Sequence, residues 1–151
     1  MLNVGPRAAG EICDEEIKVL HILGKFTRIN AEAIYGTEPF KVYGEGKAKP
    51  DKGSFSERDI KYTYKDFRFT YRPGALYAFA MNPNNKKGKY FINCIGSQHG
   101  KRGQFQLLIN RISILGYNNA VEYSLTNKGL ELRINDDVPD NLPLCFKLEI
   151  D

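Results

Sequence analysis

The stretch that decides the fold is "NAEAIYGTEPFKVYGEG", residues 30–46, where one residue pattern gives way to another. Before it, apolar side chains recur at helical spacing, and after it apolar and polar residues alternate as they do in strands. The stretch also holds a carboxylate, Glu32, and two tyrosines, Tyr35 and Tyr43, among several glycines. It is therefore either a reactive site or a joint between a helical part and a β part.

The segment before this stretch, "DEEIKVLHILGKFTRI" at residues 14–29, predicts one helix. Asp14 is placed to cap it, and Glu15 and Glu16 favour the positive end of the helix dipole. On a wheel of about 100° per residue, the apolar face spans roughly 180°. That is wider than the ~100° stripe of an ordinary surface helix, so we expect neighbours on two sides. The apolar residues are Val19, Leu20, Ile22, Leu23, Phe26 and Ile29.

Beyond Tyr35, short strands separated by turn-rich segments are predicted. Alternation is clear in "DFRFTYR", "VEYSLT", "LELRI" and "LCFKLEI", and more continuous apolar strands are expected at "ALYAFAM", "YFINCIG" and "RISILGY". Strands at this spacing, with no later helix, indicate a mainly β fold. We therefore expect an antiparallel β-sandwich of seven or eight strands preceded by one N-terminal α-helix.

One segment is nearly repeated. "FSERDIKYT" at residues 55–63 resembles "YTYKDFRFT" at residues 62–70, with an offset of seven. Because an odd shift reverses the two faces of a strand, only one copy can be the true paired strand. The second copy is favoured, since it leads directly into the turn at Pro73 and Gly74.

Composition excludes several classes of function. The chain has 151 residues with 22 Lys and Arg against 18 Asp and Glu, and the basic residues are dispersed, which argues against nucleic-acid binding. No apolar run approaches the ~18 residues of a membrane span. Cys13, Cys94 and Cys145 are far apart and form no C-x-x-C pair, so neither a zinc site nor a disulfide framework is indicated. No cofactor is expected.

Two loops invite functional interpretations that their spacing does not support. "GSQHGKRG", residues 96–103, lacks the spacing and the following Ser or Thr of a phosphate-binding loop. "NDDVPDN", residues 135–141, lacks the turn glycine and distal glutamate of a calcium loop. His21 on the polar helix face and His99 in a glycine-rich loop are typical of solvated histidines. For Glu32, a structural role at the helix exit is favoured over chemistry.

The remaining lead from the residues is a pair of tyrosines. Tyr62 and Tyr64 point the same way in "KYTYK", and flat phenol rings on a strand can stack on a sugar. Against this, the chain has no tryptophan, and its nine Phe and nine Tyr are also what a sandwich core requires.

The first 46 residues and the second copy of the repeat together resemble a known family, the α-L-fucosidases of glycoside hydrolase family 29. In that family the last barrel strand ends in N-V-G-P, here residues 3–6, and the motif I-G-K-W/F comes later, here Leu-Gly-Lys-Phe at residues 23–26. The junction N-G-E-A-I-Y-G-T-x-P-W corresponds to residues 30–40, with Ala31 in place of Gly and Phe40 in place of Trp. F-T-x-K-D-x-R-F-T and L-Y-A follow at residues 62–70 and 76–78.

The resemblance implies a division of the chain at the joint. Residues 1–35 correspond to the end of the catalytic barrel, and residues 36–151 to the C-terminal β-sandwich. The apolar face of the helix and Tyr35 are then expected to pack between the two parts. Asn3, at the end of the presumed last barrel strand, becomes a weak candidate for a substrate contact beside Tyr62 and Tyr64.

The family hydrolyses terminal α-L-fucose with retention, using an Asp nucleophile and a carboxylic acid/base. No residue here matches that nucleophile, so the resemblance implies an accessory domain that is inactive alone. Its partners would be the catalytic barrel and, through the whole enzyme, fucosylated glycans in a secreted, periplasmic or lysosomal setting. Self-association through the exposed helix face, a stand-alone carbohydrate-binding module and an active hydrolase are the alternatives.

Overall fold

A computed structural model describes residues 4–48, 60–82, 87–97, 104–138 and 142–151. Asn3, His99, most of the first repeat copy and most of the "GSQHGKRG" loop lie outside the described residues. In the described part of the chain, no helix is long and apolar enough to cross a bilayer.

The predicted helix is present with the expected bounds, as α1 (Asp14–Ile29), and a second short helix follows it, α2 (Ala31–Ile34). The predicted cap is wrong. Cys13 occupies the N-cap position without a side-chain hydrogen bond, and Asp14 is the first helical residue. In the acidic first turn, Glu16 binds the preceding segment: its Oε1 accepts a hydrogen bond of 3.2 Å from the Gly5 N–H.

In the residues that the structure describes, eight strands follow in two antiparallel sheets, which confirms the predicted fold class. The larger sheet has the order β1-β2-β3-β8-β5 and the smaller sheet β4-β7-β6. The strands are β1 (Glu38–Glu45), β2 (Phe67–Arg72), β3 (Ala75–Ala80), β4 (Gly88–Ile92), β5 (Ile109–Ile114), β6 (Val121–Thr126), β7 (Gly129–Ile134) and β8 (Leu144–Ile150).

The second repeat copy contains β2, as predicted. β2 pairs with β3 in continuous register from Phe67 opposite Ala80 to Arg72 opposite Ala75, around the turn at Pro73 and Gly74. The first part of that copy forms no strand but a turn, in which Asp66 accepts hydrogen bonds from Thr63. The alternation therefore identified the correct face, while the strand itself begins at Phe67.

The main core lies between the two sheets. Its large buried side chains come from both sheets, among them Phe67, Tyr90, Leu132 and Phe146. β3 differs from the other strands because all six of its residues are buried. Leu76, Ala78 and Ala80 face this main core, whereas Ala75, Tyr77 and Phe79 belong to a second cluster on the outer face of the larger sheet.

Candidate docking surface

The outer face of the larger sheet is covered by the end of α1 and by α2. Ala33 of α2 is fully buried in the second cluster with Tyr77, Phe79 and Cys145, and Phe26 of α1 packs against them. The rings of Phe26 and Phe79 lie 6.1 Å apart between centroids. This contact gives the C-terminal end of α1 one of the two neighbours that its wide apolar face predicted.

Glu32 fastens the two helices to the sheet. Its carboxylate lies 3.3 Å from Arg72 Nη2 on β2 and 3.1 Å from Lys147 Nζ on β8. Beside it, the Thr70 hydroxyl donates a hydrogen bond of 2.7 Å to the Ala33 carbonyl. The carboxylate is thus engaged by two cations on the strands that flank β3, which supports a structural role over an acid awaiting a substrate.

The same carboxylate shapes the electrostatics of the buried cluster. Burial, reinforced by Glu32, raises the pKa of Tyr77, although Arg72 opposes the shift. Burial and Glu32 also raise the pKa of the Cys145 thiol well above its ordinary value. Since a high thiol pKa suppresses the reactive thiolate, Cys145 is a packing residue of this cluster.

The joint itself is rigid. Asn30 is 2% exposed, and both its backbone N–H and its side-chain amide donate to the Phe26 carbonyl at 3.0 Å. The Thr37 hydroxyl donates to the carbonyls of Ala33 and Ile34, closing the end of α2. Gly36 between them has φ +66, a left-handed conformation that suits glycine. The chain therefore leaves α2 and enters β1 along a fixed path.

The other side of α1 is not covered by any residue that the structure describes. Val19 and Ile22 are each 52% exposed and Leu23 is 40% exposed, although all three are apolar. Leu20, Phe26 and Ile29 are half-buried, and no residue of α1 is fully buried. Tyr35, the last of the residues expected between the two parts, is 66% exposed. A surface helix normally turns its apolar residues toward its own core, so this face is a candidate docking surface.

A cavity of about 510 Å³ lies where this exposed face meets the sheet. Ile22, Leu23 and Phe26 form its helix side, and Phe79 and Pro143 are among the residues of its sheet side. Ile29 lies further along, against the turn after β5, where a side chain on Gly116 would collide with it. We call Val19, Ile22, Leu23 and this cavity the open helix face.

The two candidate tyrosines lie apart from the open helix face. Tyr64 is 42% exposed, and Tyr62 is half-buried. The ammonium group of Lys65 lies 5.3 Å from the centre of the Tyr64 ring and 5.9 Å from that of Phe91. A lysine thus lies over the Tyr64 ring, and a sugar contact at Tyr62 and Tyr64 stays a prediction.

Sequence reasoning missed the partners of Glu32 and an aromatic cleft formed by Phe40, Tyr71 and Phe105. Arg72 and Lys147 are 40 and 115 residues from Glu32, and only the strand order brings both of them to its carboxylate. In the described ranges, no three His, Cys, Asp or Glu side chains form a group that could hold a metal ion. The open helix face thus remains the most conspicuous surface for a partner.

Comparison with solved structures gives this arrangement a context. The chain superposes on an α-L-fucosidase, isoenzyme 1 from Paenibacillus thiaminolyticus, with a TM-score of 0.62 and 22% identity over 100% of its length. Its fold is that of part of an α-L-fucosidase. The Thermotoga maritima α-fucosidase in complex with a mechanism-based inhibitor gives a TM-score of 0.63 at 21% identity over 99% of the chain.

These matches confirm, at the level of the fold, the resemblance expected from the residues. The chain spans only 30% of the length of either enzyme. No protein-family model matches the sequence, and no curated protein matches it. The likeness therefore concerns one part of the fucosidase architecture, and most of each enzyme lies outside it.

Proposed function

We propose that this chain is the accessory β-sandwich of an α-L-fucosidase-type hydrolase. In this proposal residues 36–151 form the sandwich, and residues 1–35 belong to the end of the catalytic barrel. The fold shared with two fucosidases supports it, as does the junction motif at residues 30–40.

The observation that carries the proposal is the two-sided character of α1. One side rests on the sheet through Phe26, and the other exposes Val19 and Ile22 to solvent. Burying an exposed aliphatic side chain contributes about 1.5 to 3 kcal/mol, so the open helix face favours a permanent neighbour. In the proposal that neighbour is the barrel, because the matched fucosidase chains have most of their length outside the shared part.

The chemistry of retaining glycosidases indicates which part of the proposed enzyme is catalytic. Two carboxyl groups about 5 to 5.5 Å apart are required, one as nucleophile and one as acid/base. Glu32, the acid that the sequence analysis weighed for chemistry, is instead paired with Arg72 and Lys147. We propose that the barrel supplies both catalytic groups and acts on fucosylated glycans, while this chain holds the last barrel helix in place.

The decisive experiment begins with the genomic sequence in frame before Met1. The proposal expects a barrel there, and expression of the longer reading frame should give hydrolysis of a chromogenic α-L-fucoside. The present chain alone should give none. In the longer protein, Val19→Asp with Ile22→Asp should lower the melting temperature and the turnover, whereas His21→Asp on the polar face should change neither.

Three results would refute the proposal. The first is turnover by the present chain alone, and the second is an upstream sequence without a barrel. The third is equal sensitivity of the longer protein to changes on the apolar and polar faces of α1. Concentration-dependent association of the present chain, abolished by the two Asp substitutions, would instead assign the open helix face to a second copy.

A further inference from the structure

A second cleft, of about 490 Å³, opens where β1 and the end of β8 meet residues 105–107. It shares no lining residue with the cavity under α1. Its volume falls within the range of about 300 to 1,000 Å³ that is usual for small-ligand pockets. The proposed docking function makes no use of this cleft.

Three aromatic rings form the apolar part of the cleft. The centroid of Phe40 lies 5.0 Å from that of Phe105, at an interplanar angle of 65°, and 6.3 Å from that of Tyr71. All three side chains are half-buried, so each ring is held by packing and also retains exposed surface. They come from β1, from β2 and from the segment before β5, which is why no sequence motif joins them.

Phe105 is fixed in place by its backbone. Its N–H donates to the Cys94 carbonyl at 2.7 Å, and its carbonyl accepts from the Gly96 N–H at 3.0 Å. Cys94 is anchored in turn, because its N–H donates to Glu45 Oε2 at 2.8 Å. The ring is therefore preorganised, which lowers the entropic cost of binding a ligand against it.

Polar groups rim the aromatic part. The side chains of Glu38 and Gln106 are exposed and make no hydrogen bond or ion pair with any residue that the structure describes. The Asp151 carboxylate is oriented by the Asn110 amide, which donates to Oδ1 at 2.6 Å. The cleft thus combines aromatic surface with carboxylate and amide groups that can bind hydroxyls.

We propose that this cleft binds a neutral saccharide. The C–H groups on one face of a sugar ring suit the electron-rich face of an aromatic ring, and its hydroxyls suit carboxylate and amide partners. The carboxylates of Glu38 and Asp151 outnumber Lys41, the one cation of the lining, and so disfavour a phosphate. A purely apolar side chain would leave the polar rim unused. The inference rests on the geometry of this chain, and only the choice of a fucosylated probe rests on the proposed function.

The test is a titration of the ¹⁵N-labelled chain with L-fucose, 2′-fucosyllactose and lactose up to tens of millimolar, followed by amide chemical shifts. Saturable shifts are expected at Phe40, Phe105 and Gln106. Phe105→Leu keeps an apolar side chain but removes the ring, and should weaken binding about three- to tenfold. Tyr64→Ala is the matched control and should leave binding unchanged.

Glu38→Gln and Gln106→Ala alter only the exposed rim, so they carry the test should Phe105→Leu fail to fold. They should weaken binding while leaving the rest of the amide spectrum intact. The absence of saturable shifts with all three saccharides would overturn the proposal. So would binding that is lost in Tyr64→Ala but kept in Phe105→Leu. Both results are independent of the activity of the longer reading frame, which tests the docking function.

Discussion

The ring of Phe26, near the end of α1, packs on the ring of Phe79, on the outer face of the larger sheet, with centroids 6.1 Å apart. Phe26→Ala should lower the free energy of unfolding by about 2 kcal/mol, less than for a fully buried ring because the residue is half-buried. Ile22→Ala, one turn earlier and 52% exposed, should cost under about 0.5 kcal/mol. Urea denaturation measures both, and equal losses would contradict this packing.

The ion pairs of Glu32 should contribute modestly and depend on salt. About a third of the Glu32 side chain is exposed, so screening limits its pairs with Arg72 and Lys147, and Glu32→Gln should cost about 1 kcal/mol. Glu131→Gln removes the more exposed pair with Lys89 and serves as the control, with a loss near zero. The difference between the variants should shrink in high salt. A salt-independent difference would indicate packing rather than charge.

Asp66 should make the free energy of unfolding depend on pH in the acidic range. Burial by itself raises its pKa, but hydrogen bonds from the Thr63 side chain and from the N–H groups of Ala48, Thr63 and Lys47 outweigh burial and lower the pKa below the ordinary 3.8. A carboxylate whose pKa is lower in the folded chain stabilises it above the unfolded pKa, and that contribution is lost as pH falls through the folded pKa.

Asp66→Asn should therefore cost about 1 to 3 kcal/mol near neutral pH, and less as the solution is acidified below about pH 4. Thermal unfolding across this pH range measures the effect. Asp136→Asn, at an exposed position, is the control. Its melting temperature should change with pH in parallel with that of the unsubstituted chain. If the melting temperature of Asp66→Asn also changed with pH in parallel with that of the unsubstituted chain, the carboxylate would not be held by these donors.

Gly46 and Gly24 should respond to alanine in opposite directions. Gly46 has φ +115, and a Cβ there would collide with the Asp66 carboxylate, so Gly46→Ala should cost more than about 2 kcal/mol. Gly24 lies inside α1, and a Cβ added there would meet no atom of another element within 4 Å, so Gly24→Ala should stabilise the chain by up to about 1 kcal/mol. Melting temperatures report both, and a tolerated Gly46→Ala would show that this segment can move away from Asp66.

The helix, several strands and one turn were predicted well because each depends on the pattern of residues that are close together in the sequence. The bounds of α1 and the inward faces of β2 and β7 follow from apolar spacing alone, as does the position of the Pro73 turn. The cap was misassigned because Asp14 and Cys13 are adjacent and only the backbone conformation separates a cap from a first helical residue. α2 was not predicted, since four residues carry no periodicity.

Contacts between residues far apart in the sequence could not be predicted from local patterns. The wide apolar face of α1 predicted a neighbour on each of two sides. One neighbour is the cluster of Tyr77 and Phe79 on β3, and the sequence did not show which strand would lie under the helix. The rings of Phe40 and Tyr71 meet because β1 pairs with β2, and Phe105 joins them from a segment outside the named strands. Tyr62 and Tyr64 attracted attention because they share a short segment, yet Lys65 lies over the exposed ring.

β3 gives one row of side chains to the sandwich core and the other to the cluster under α1 and α2. Because β3 is shared in this way, we expect the helices and the sheet to unfold together. Cutting the chain after residue 35 would strip the cover from Tyr77, Phe79 and Cys145. Side-chain packing therefore crosses the boundary that the sequence pattern predicts.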